Sequence, residues 1–143
     1  MSASNTMETG LLNLIFNNTD LANIGDAAGL QNSATEGSLY VALYTSDPTD
    51  ADTGTETVYT NYARVAVARN SGGWTVSGNN VSNTAAVTFP QCGTTGATIT
   101  HWGIRTASTG GDLLFHGALT ASLAVSDGVT PEFAIGALDV NID

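Results

Sequence analysis

The fold turns on the reading of T-H-W-G-I-R-T-A-S-T-G-G-D-L-L-F-H-G-A-L, residues 100–119. This stretch gathers both histidines, His101 and His116, with Arg105 and Asp112. Such a set suits a metal site, an acid–base site or a phosphate site, and equally the polar face of a β-hairpin. A two-residue loop at 108–109 sets Trp102 opposite Phe115 and Ile104 opposite Leu113 on one face. The other face then pairs His101 with His116 and Arg105 with Asp112, and a one-residue slip spoils all four pairs. The stretch thus predicts a hairpin, with Arg105–Asp112 as a register-setting ion pair worth about 0–1 kcal/mol. Two opposed imidazoles are too few ligands for zinc, although they resist double protonation and so form a pH-sensitive pair. The double glycine lacks the helix and lysine of a phosphate loop and reads as turn chemistry.

Outward from the hairpin the same period of two recurs. In L-Y-V-A-L-Y (39–44), Leu39, Val41 and Leu43 share one face and Tyr40, Ala42 and Tyr44 the other. Strands are predicted at 62–69, at 74–77 after N-S-G-G, and in a segment ending at Phe89 with Ala85, Val87 and Phe89 inward. Trp74 and Val76 share a parity, which favours core packing over an exposed stacking platform. At the C-terminal end the apolar parity switches across Gly136-Ala137, which suggests a bulge or bend. About eight short strands, with turns every eight to twelve residues, predict a mainly β, antiparallel sandwich or barrel-like body over 38–143.

Residues 1–37 read as an arm. Asn5 and Glu8 have the spacing of a capping box. Met7, Leu11 and Ile15 recur at helical spacing, as do Leu12 and Phe16, so two or three turns should end near Asn17-Asn18. These five apolar residues need a partner surface, either the protein's own body or a neighbouring subunit.

Charge narrows the function classes. Thirteen acids face three arginines and no lysine, for a net charge of −10. That balance disfavours nucleic acid and anionic lipid as partners. The acidic loop with Asp47, Asp50, Asp52 and Glu56 places Gly54 where a calcium loop needs a ligand, so it reads as solvated, with an irregular cation site as the alternative. The lone Cys92 excludes an internal disulfide and suits a reducing cytoplasm. The apolar run 11–16 is too short for a signal peptide, and nothing approaches a membrane span. No G-x-S-x-G elbow is present. The expectation is no enzyme, no catalytic or metal-binding residues and no cofactor.

The segments L-Y-V-A-L-Y-T-S-D-P (39–48), N-Y-A-R-V-A-V (61–67) and W-T-V-S-G-N-N-V-S-N-T-A-A-V-T-F-P (74–90) resemble a family of small tailed-bacteriophage virion proteins. The stretch 99–119 and the closing F-A-I-G-A-L-D-V-N-I-D extend that resemblance to about residues 38–143, and L-L-N-L-I-F-N-N looks like the arm of its longer members. The resemblance implies a virion structural protein, of the kind labelled tail-fibre or capsid decoration (cement). A fibre shaft normally shows long repeats, which this chain lacks. The reading preferred on sequence is therefore a decoration protein, made in the host cytoplasm and placed on the phage head. There it would be a homotrimer binding the major capsid protein through Met7, Leu11, Leu12, Ile15 and Phe16. The alternatives are a tail-fibre or tail-tip receptor-binding component and, from another class, a carbohydrate-binding module.

Overall fold

The computed structural model describes residues 2–142. It holds one helix, α1 (Asn5–Phe16), and nine strands: β1 (Ser38–Tyr44), β2 (Val65–Ala68), β3 (Trp74–Ser77), β4 (Asn80–Asn83), β5 (Val87–Thr88), β6 (Ala97–Arg105), β7 (Leu113–Val125), β8 (Glu132–Phe133) and β9 (Asp139–Asn141). The sheet orders are β2-β1-β6-β7, β3-β4-β9 and β5-β8. The expected mainly β, antiparallel class is therefore the one observed, with nine strands in three sheets. No helix among the described residues is long and apolar enough to cross a membrane.

Two compact units interleave along the chain. One takes the residues up to Ser38, Val67–Ala86 and those from Phe133 on; the other takes Leu39–Ala66 and Val87–Glu132.

In the first, helix-bearing unit, α1 lies against β3 and β4. The helix starts one residue earlier than the capping-box spacing implies: Ser4 is the N-cap, its Oγ accepting from Met7 N at 3.3 Å. Leu12 and Phe16 are fully buried, and the Phe16 ring meets Trp74 edge-on at 4.9 Å. Trp74 is a core residue and offers no stacking platform. Gly10 has a packing reason, because a Cβ there would collide with the side chain of Leu21. The helix has no basic residue in its last turn. Instead Arg69 donates to the carbonyls of Leu14 (2.7 Å) and Ile15 (2.6 Å), two acceptors the helix end leaves open.

The sheet of this unit puts Val81 and Val140 inside, while Thr75, Ser82 and Asp139 stand abreast on its other face. The parity switch near Gly136 is a turn built around Asn83, a buried amide. Its Nδ2 donates to Ala85 O and Ala134 O, and its Oδ1 accepts from Leu138 N. This knot diverts the chain after β4. The single expected strand ending at Phe89 is consequently broken; Val87 and Phe89 point inward, but Ala85 is exposed.

In the second unit β1 pairs with β6, from Tyr40↔Arg105 to Tyr44↔His101. Val41 to Tyr44 are buried on both faces of the strand, as suits a central position. The 100–119 stretch is a hairpin, but its register differs from the one the pattern suggested. Trp102 faces Gly117, Gly103 faces His116, Ile104 faces Phe115 and His101 faces Ala118. The shift of two residues keeps Trp102, Ile104 and Phe115 on one face and His101 and His116 on the other but dissolves the His101–His116 and Arg105–Asp112 pairs. A further irregularity after Ile104 sets Leu113 opposite Arg105 rather than opposite Ile104. The local reason for the shift is room for the indole: a Cβ at residue 117 would lie 2.7 Å from the Trp102 ring, so the ring needs glycine opposite.

Candidate functional site: a clamp of two arginines on two loops

The hairpin tip is a wide loop rather than a two-residue turn. Thr106 N donates to Asp112 O at 3.1 Å, and Asp112 N to Thr106 Oγ1 at 2.9 Å. It is therefore the main chain of Asp112, not its carboxylate, that closes the loop. Gly110 and Gly111 both take positive φ, 59° and 66°, a region costly for other residues. This geometry turns the tip carbonyls inward, where two guanidinium groups collect them.

Arg64 donates from Nη1 to Ala107 O and Gly110 O, both at 2.7 Å. Its Nε and Nη2 grip Glu56 in a fork at 2.8 and 2.7 Å. Arg105 binds Asp52 in the same way, with Nη1 and Nη2 each 2.7 Å from a carboxylate oxygen. Arg105 Nη1 also reaches Tyr44 OH and Nη2 reaches Gly111 O, both at 2.7 Å. Both arginine side chains are buried, at 7% and 8% exposure, with most donors satisfied, while Glu56 and Asp52 stay partly exposed, so each pair joins a buried cation to a part-solvated carboxylate. The acidic loop read as solvated is in this respect half of a clamp: Asp52 and Glu56 hold the cations that hold the tip.

The electrostatics follow. The Arg105 hydrogen bond holds the Asp52 carboxyl below its ordinary pKa. Burial works to raise Glu56, but bonds from Arg64 and Tyr62 outweigh it and the net direction is down. Burial first, and then the Glu56 carboxylate, push the Tyr62 phenol well up, although the Leu43 N–H it accepts pulls the other way. Arg105 is raised, chiefly by Asp52. Charged forms of the acids and neutral forms of the phenols are thus favoured together.

The remaining site candidates scatter. His116 lies between Asp50 (Nε2, 3.2 Å) and Asp47 (Nδ1, 3.6 Å). His101 Nδ1 meets Thr100 Oγ1 at 2.9 Å. Among the described residues no three His, Cys, Asp or Glu are grouped to hold a metal ion. A cleft of about 360 Å³ beside the clamp is lined by Glu56, Tyr62, Ala63, Arg64, Ser108, Thr109 and Gly110. Its charged wall is self-neutralised, since the polar atoms of Arg64, Glu56 and Tyr62 are bonded to one another. The arrangement fixes loop shape. On the helix, Leu12 and Phe16 are buried within their own unit, whereas Met7 is 41% exposed and Leu11 and Ile15 are partly so.

Sequence pattern missed Arg64, Asp52, Glu56, Tyr44 and Tyr62 as one cluster. The available signal was scarcity: three arginines among thirteen acids and no lysine make any buried cation conspicuous.

A β-rich domain whose ionic groups brace its own loops is built as a structural or recognition module, and the family comparison gives the setting. The protein is a structural component of a bacteriophage virion. It belongs to the family described as Podophage GP4 fiber I protein gp80, whose model matches residues 2–141. No curated protein matches the chain.

Proposed function

We propose that this protein is a non-enzymatic fibre component of the virion, with the clamped loops 45–56 and 106–112 forming a shape-fixed surface. The observation that carries this reading is the family match, which covers helix and strands alike. The build of the loops supports it. Two ion-paired, buried guanidinium groups fix main-chain carbonyls rather than reach outward, which holds the loops in shape and lowers the ordering cost when a partner meets them.

Capsid decoration, with the major capsid protein as partner, is the second reading. It is favoured by the absence of shaft-like repeats in the sequence and by the half-exposed stripe Met7, Leu11 and Ile15. Antibody labelling of intact and tailless particles separates the two. The fibre reading expects label on the tail apparatus and its loss from tailless heads; label retained in many copies on tailless heads would replace it with decoration.

A further inference from the structure

We propose that the cleft beside Arg64 binds a neutral saccharide and holds it by its hydroxyl groups. The cleft encloses about 360 Å³, at the small end of ligand clefts and suited to one or two sugar rings. All of its lining residues belong to the second unit. The assignment rests on the recognition role proposed above for loops 45–56 and 106–112, and adds the class of ligand.

Hydrogen-bond capacity selects that class. A guanidinium has five N–H donors. In Arg64, Nε gives one to Glu56 Oε1, Nη1 gives two to Ala107 O and Gly110 O, and Nη2 gives one to Glu56 Oε2. One N–H of Nη2 is left. Glu56 Oε1 accepts from both Arg64 and Tyr62, whereas Oε2 accepts from Arg64 alone and keeps a free lone pair. The wall thus offers one donor and one acceptor on atoms 2.7 Å apart, with no net charge. A hydroxyl both donates and accepts, so it fits that edge. A carboxylate or phosphate would be repelled by Glu56, and an ammonium by Arg64.

The hairpin tip supplies more. Arg64 and Arg105 collect the carbonyls of Ala107, Gly110 and Gly111, which leaves the N–H side of the loop outward. The N–H groups of residues 107–111 and the hydroxyls of Ser108 and Thr109 have no partner among the described residues, and Ser108 to Gly111 are exposed. The clamp holds these groups in place before a ligand arrives, which lowers the ordering cost of binding. Ala63 and Tyr62 give the apolar part of the wall, the Tyr62 hydroxyl being committed to Glu56 and to the N–H of Leu43. Such a strip suits the C–H face of a sugar ring.

Amide NMR titration of the full chain with methyl glycosides of glucose, galactose and mannose tests the proposal, with galacturonate and glucosamine as charged counterparts. We expect at least one neutral glycoside to shift the amides of residues 107–111 while those of β3 and β4 stay still. Binding should be weak, saturable and independent of salt. Ala63→Trp, at an exposed position, should fill the cleft and abolish the shifts with an unchanged far-ultraviolet spectrum. Ser108→Ala combined with Thr109→Val should weaken binding roughly threefold to tenfold, as loss of neutral hydrogen bonds does. Particle labelling tests the fibre reading separately, so either can fail alone. The saccharide site is overturned if none of the three neutral glycosides saturates it or if a charged counterpart binds more tightly than all of them. It is equally overturned if either variant binds as the parent does.

Discussion

The two units use the same scarce residue in different ways. In the helix-bearing unit the core is apolar, with Phe16 edge-on to Trp74, and Arg69 meets carbonyls, its other contact being a 3.3 Å bond to Ser33 Oγ. In the other unit Arg64 and Arg105 are each locked to a carboxylate before they reach the loop carbonyls. One unit is therefore held at its edge by a single cation against dipoles, the other by titratable pairs. The difference implies separate sensitivities, to cavity formation in the first and to protonation in the second.

The largest expected effect is on the apolar side. Phe16→Ala removes a fully buried ring and should cost about 3–5 kcal/mol in urea unfolding, with loss of amide protection along α1. A cost under about 1 kcal/mol would show that the helix is held by its caps rather than by the core. Next, Arg105→Ala should cost about 3 kcal/mol, toward the lower end for a broken buried pair, because Asp52 is 35% exposed and can rehydrate. Asp112→Asn should change stability by no more than about 0.5 kcal/mol. Equal costs for the two variants would restore the Arg105–Asp112 pairing and refute the clamp.

The smallest expected effect is of acid. Asp52 and Glu56 are depressed in the fold, so their contribution is complete above the ordinary carboxylate pKa of about 4 and is lost as pH falls below it. Amide resonances of residues 106–111 should broaden or shift in that range before those of β3 and β4. Simultaneous change in both units would remove the distinction.

Sequence alone carried the elements well where the signal was local. Helical spacing placed α1, and alternation in 39–44 and 100–119 placed β1, β6 and β7, with the correct face parity from Phe115 on but not at Leu113. It failed where the deciding partner was distant. Arg105 bonds Asp52 across 53 positions, and Arg64 bonds Ala107 across 43. Asn83 looks like a turn residue in S-N-T yet organises a turn 51 residues away. The acidic loop misled because a carboxylate's neighbours in the chain reveal nothing about a guanidinium brought over it by the sheet.

The sequence by itself determined the β class, the short N-terminal helix, the acidic composition and the faces of most hairpin side chains, Leu113 excepted. These follow from periodicity and composition, which are properties of neighbouring residues. Only the tertiary structure decided the hairpin's register and the partners of its arginines. Registers two residues apart satisfy the same alternation equally well. What separates them is the space Trp102 finds over Gly117 and the carbonyls Arg64 and Arg105 collect at the tip, and both exist only once distant strands lie side by side.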